Sequence, residues 1–84
     1  MRYTTIPSLT GKQLIRLLQK DGWQPRRRAK HGIALAKVVG DTTRVTVVPD
    51  TNDDLRDVLD WILSVKQTGL GKSGLLALLN TYGL

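Results

Sequence analysis

The stretch from Gly22 to Asp50, GWQPRRRAKHGIALAKVVGDTTRVTVVPD, constrains the fold most, because its residues alternate at the period of a β-strand and its breaks carry turn chemistry. Trp23 to Arg28 reads as a first strand that is poor in apolar residues. Pro25 within it cannot donate to a ladder, so the strand belongs at a sheet edge. Ile33 to Val39 reads as a second strand, with Ile33, Leu35 and Val39 on one face and Ala34, Ala36 and Val38 on the other. Gly40-Asp41 supplies a turn, Arg44 to Val48 a third strand, and Pro49 its end. The turn between the first two strands is basic and exposed, with His31 at the start of the second.

Helices flank this unit. Thr10 and Gln13 have the spacing of a capping box, Leu9 and Leu14 that of a hydrophobic staple, and Leu14, Ile15, Leu17 and Leu18 form an apolar stripe. Gly22 is placed to close the helix in a left-handed conformation, with Lys20 near the negative end of its dipole. After the sheet, Thr51 and Asp54 suggest a second capping box. From there Leu55, Val58, Leu59, Ile62 and Val65 keep helical spacing up to Gly69, while Asp53, Asp54 and Asp57 load the first turns with negative charge. A short final helix follows, with Leu70 and Leu75 as its staple, Leu75, Leu78, Leu79 and Tyr82 on one face, and Gly83 past its end. Trp23, Trp61 and Tyr82 are expected to pack against helices.

The expected fold class is α+β, one domain over residues 1–84 with a loose arm at 1–8 and the order α-β-β-β-α-α. A three-stranded antiparallel sheet needs one face covered, and the helices at its ends supply that cover. This is the layout of a double-stranded-RNA-binding-like domain. The 84 residues leave no room for a second core, and the absence of cysteine excludes disulfides and thiolate metal sites. No apolar run has the length of a membrane span, so the expected location is cytoplasmic with no membrane partner.

Charge points to a partner. Residues 1–44 carry ten Lys and Arg against two Asp, whereas residues 45–84 carry three against five, and four cations crowd into Arg26 to Lys30. Such a surface attracts polyanions, of which nucleic acid is the commonest in a cell, although a modest positive surplus also serves solubility. Arg26, Arg28 and Lys30, with Lys12 and Lys37 as further candidates, are the residues expected to meet RNA phosphates; such domains read shape and 2′-hydroxyls rather than sequence. Arg27 alternates to the other side, where it is expected either to snorkel or to meet one of the carboxylates of the second helix.

His31 extends the reading from binding to cleavage. In ribonucleases that need no metal, a general base takes the 2′-hydroxyl proton and cations stabilise the charge that builds on the phosphate. Histidine suits this work because its unperturbed pKa lies near ~6.5. One histidine with scattered Asp makes a poor metal site, and no cofactor is expected.

The run GKQLIRLLQKDGWQPRRRAKHG resembles the opening of the HicA toxins, small messenger-RNA-cleaving proteins of type II toxin-antitoxin systems. Gly11, Leu14, Ile15, Leu18, Gly22 and Trp23 match the family's first helix, and His31 falls at its catalytic histidine. VTVVPD is similar to its third strand, and LRDVLDWILSVKQTGL to its second helix. The resemblance covers about residues 9–70. It implies an endoribonuclease acting on messenger RNA with His31 as the catalytic residue, and neutralisation by a HicB-like antitoxin in a hetero-oligomer. The chain departs from the pattern in carrying Ala29 and Lys30 where the family has glycine and serine, and no histidine follows Pro49. A non-catalytic RNA-binding homologue and a protein-interaction module docked by an acidic antitoxin are the alternative readings.

Overall fold

The computed structural model describes residues 3–56 and 58–83. Helix α1 (Gly11–Lys20) begins and ends where its local chemistry directs. Thr10 Oγ1 accepts the Gln13 N–H at 3.2 Å and Gln13 Oε1 accepts the Thr10 N–H at 3.0 Å, a reciprocal box that satisfies donors the helix cannot. Leu9 and Leu14 are both buried in the core, as the staple requires. At the other end Gly22 has φ 97°, its N–H donates to Gln19 O at 3.1 Å, and the Trp23 N–H donates to Leu18 O at 3.0 Å. This is a Schellman motif, and it turns Trp23 into the core beside Leu14, Leu17 and Leu18.

Strands β1 (Gln24–Ala29), β2 (Gly32–Val39) and β3 (Thr42–Val48) form one antiparallel sheet in the order β1-β2-β3. Cross-strand pairing of Val39 with Thr42 leaves Gly40-Asp41 as a two-residue turn, so β3 starts two residues before Arg44. In β1 the register slips between Pro25 and Arg27, leaving Arg26 as a bulge. The slip overturns simple alternation: Arg27 lies across from Ala34 and Arg28 across from Ile33, on opposite faces of the sheet.

Ile33 and Leu35, with their partners Val48 and Thr46, face the helices and join one core with the α1 leucines and Leu75, Leu78 and Leu79 of α3 (Gly71–Tyr82). The other sheet face carries Ala34, Ala36, Val38, Val45 and Val47, of which Val38 and Val45 are exposed and the two alanines buried. The order α-β-β-β-α-α and the single antiparallel sheet match the expectation. None of the described helices is long and apolar enough to cross a membrane.

The second helix is where sequence and structure part. Among the described residues of this segment only Leu59–Ile62 is helical (α2), and no described helix begins at Thr51 or ends at Gly69. The backbone of this segment is taken by the start of α1: Thr51 O accepts the Lys12 N–H at 3.0 Å, Leu9 O accepts the Leu55 N–H at 2.8 Å, and Thr10 bridges Asp54. Local side-chain bonds compete as well. Thr51 Oγ1 accepts the Asp53 N–H at 3.3 Å and Asp54 Oδ1 accepts the Arg56 N–H at 2.8 Å, both two residues along, a turn rather than a capping box. Asp53 and Asp54 therefore serve turns, and Asp57 lies outside the described residues. Because the helix stops early, Val65 leaves the apolar stripe and is exposed. Trp61 and Tyr82, expected to pack, are exposed too. The arm is not loose at Tyr3, whose N–H and carbonyl both bond the Asn80 side chain, and Ile6 packs on the core.

Two substitutions test the α1 start. Thr10→Ala removes one cap and should cost ~1 kcal/mol. Gly11→Ala should cost more, at the upper end of or beyond the ~1–3 kcal/mol of overpacking, because its Cβ would lie 1.7 Å from the Pro49 carbonyl oxygen. Urea denaturation of the two variants checks the order.

Candidate nucleic-acid interface

The pairing of Ala29 with Gly32 leaves Lys30 and His31 as a two-residue turn, so His31 stands in the turn itself rather than at the first position of β2. Both side chains are exposed. Gly32 allows this placement: a Cβ there would lie 2.2 Å from the Val48 carbonyl oxygen, and only a residue without one lets the turn close against the end of β3. The chain leaving β3 then passes beside His31 through Pro49.

A cleft of about 450 Å³ results, with Ala29, Val47, Pro49, Val58 and Ile62 as apolar lining and Lys30, His31 and Trp61 as its larger polar and aromatic groups. Trp61 is 55% exposed, held on the single turn of α2. Lys30, His31 and Trp61 thus line one largely apolar concavity of a size suited to a small ligand or a nucleobase. The indole offers a stacking face, and the exposed side chains of Lys30 and His31 stand beside it.

The surrounding cations are arranged by one carboxylate. Asp50, largely covered, lies 3.0 Å from Arg28 Nη2 and 3.9 Å from Lys12 Nζ, so a residue of α1 and one of β1 meet at the residue after Pro49. The pairs leave Arg28 and Lys12 substantially exposed, at 72% and 50%, and two cations against one anion keep the spot positive. Exposed pairs of this kind add little stability and serve mainly to hold side chains in place. Arg26, Arg27 and Lys30 are exposed and have no ion pair among the described residues.

Of the residues singled out in the sequence, His31, Lys30, Arg28 and Lys12 gather around the β1–β2 turn and Asp50, and Arg26 stands at the bulge. Lys37 does not join them. It lies six residues from His31 along β2, roughly 20 Å at the rise of a strand, and its Nζ is 2.9 Å from Asp21 Oδ2 at the end of α1. Arg27 finds no carboxylate of the α2 region among the described residues either: Asp54 faces Arg56 at 4.0 Å and Asp60 faces Lys72 at 3.9 Å. Two members of the site were not expected there. Trp61 was expected to pack against a helix, next to Ile62 of the apolar stripe, and the link between Asp50 and residues 12 and 28 leaves no trace in local spacing.

Comparison with family models, with curated proteins and with solved structures returned no match to this chain.

Proposed function

We propose that this protein is an RNA-cleaving toxin similar to the HicA family, acting on messenger RNA and restrained by an acidic, HicB-like antitoxin. The observation that supports it most is the sharing of one cleft by His31, Lys30 and Trp61 at the tip of a cationic hairpin. In this reading a nucleobase stacks on Trp61, its phosphate meets Lys30 and Arg28, and Lys12 and Arg26 follow the backbone further along. His31 takes the proton of the 2′-hydroxyl. The 2′-oxygen then bonds to phosphorus, the bond from phosphorus to the 5′-oxygen breaks, and that oxygen takes a proton from water, leaving a 2′,3′-cyclic phosphate. Lys30 offsets charge on the non-bridging oxygens as the bond forms.

A binding-only reading rests on a different observation. Ala29 and Lys30 occupy the places of the family's glycine and serine, and a longer side chain in the turn holds phosphate equally well without cleavage.

His31→Ala separates the two. If cleavage is native, the variant loses ~10²- to 10⁴-fold in cleavage rate while RNA affinity stays within a few-fold, read from the products of a labelled RNA and from a filter-binding titration. Cleavage that persists in His31→Ala, with the same products, would sink the assignment. Trp61→Ala should weaken RNA binding by the ~1–3 kcal/mol of a lost base stack, roughly 5- to 150-fold, and the exposed position predicts an unchanged urea midpoint. Arg28→Ala and Lys30→Ala should each flatten the dependence of affinity on salt, whereas Lys37→Ala, remote from the cleft, should leave the slope where it was.

A further inference from the structure

The two edges of the sheet are built differently. Along β1, Pro25, the bulge at Arg26 and three consecutive arginines oppose the addition of another strand. Along β3 none of these devices is present. Its seven residues pair with β2 in unbroken register, and the strand carries a single charge, Arg44. The Arg44 guanidinium is drawn away from the sheet to donate to Val65 O at 2.9 Å.

The register fixes which backbone groups point outward. A two-residue turn is closed by a mutually hydrogen-bonded pair, here Val39 and Thr42, and such pairs then alternate along the ladder. Thr42, Arg44, Thr46 and Val48 therefore bond to β2. Thr43, Val45 and Val47 turn their N–H and C=O groups to the outer edge, where no other backbone group among the described residues bonds to them. Their side chains lie on the sheet face opposite Leu35 and Val48, where Val45 is 50% and Val38 65% exposed.

We propose that this edge pairs with the same edge of a second copy of the chain, antiparallel about a two-fold axis at Val45. In that register Val45 faces its own copy and Thr43 faces Val47, so every outward group finds a partner. Arg44 falls opposite Thr46 and never opposite itself. The assembly is one six-stranded sheet in which Thr43, Val45 and Val47 of the two copies meet at the seam. The cationic β1 edges lie outermost, each two and a half strand spacings of ~4.8 Å from the junction, about the distance over which salt screens charge. The self-complementary register and this outward placement of charge favour a second copy over an acidic protein partner, because the one cation of β3, Arg44, is engaged by Val65 O.

The test uses the full-length chain. In sedimentation velocity the mass should rise from that of one chain toward twice that value with concentration. The association should strengthen toward ~1 M salt, where the screening length falls to ~3 Å, the opposite of the salt response of RNA binding. Hydrogen exchange at Thr43, Val45 and Val47 should slow several-fold as concentration rises, with Arg44 and Thr46 unchanged. Val45→Pro removes one outward donor that β2 does not use, and should abolish the dimer. The double variant Thr43→Lys/Val45→Lys should do the same through like charge if the proline disturbs the strand. A single-chain mass at every concentration and salt would overturn the proposal, as would a dimer that survives in both variants.

Discussion

The contact between the start of α1 and the chain that leaves β3 is what the rest of the molecule depends on. Gly11 lies so close to the Pro49 carbonyl that no side chain fits between them, Lys12 donates to Thr51, and Leu55 donates to Leu9. Backbone of the first third of the sequence thus meets backbone of the middle third. The contact fixes the path of residues 49–55, and through it the far wall of the cleft beside His31. The same bonds consume the donors and acceptors a longer second helix would need. One set of interactions builds the site and shortens α2.

Charge is organised with similar economy. Asp50 holds Arg28 and Lys12 from two different elements, while Asp21 holds Lys37 at the opposite end of the sheet. Arg28 and Lys12 are thus gathered near the β1–β2 turn, while Lys37 is held at the end of α1 and Arg44 is drawn to Val65 O.

The parts legible in the sequence are those decided by neighbours. Thr10, Gln13, Gly22 and Trp23 act within one or two helical turns, and the structure follows them bond for bond. The Gly40-Asp41 turn is similar. The parts that escaped were decided at a distance. The pattern from Leu55 to Val65 is genuinely helical in period, yet Leu9 and Thr10 capture its first residues from more than forty positions away. The bulge at Arg26 shifts Arg28 to the face of Ile33, and alternation alone gives no warning of an inserted residue. Trp61 is the sharpest case. Its place at the edge of the stripe was visible, but its meeting with His31 required the fold.

That indole stands on one helical turn, too short to persist on its own strength. Its position is borrowed from Ile62 beneath it and from the core into which Ile62 is set. The wall beside the imidazole is therefore thermodynamically linked to folding as a whole, and an occupant that binds only the assembled cleft draws the unfolded population toward the native state by mass action.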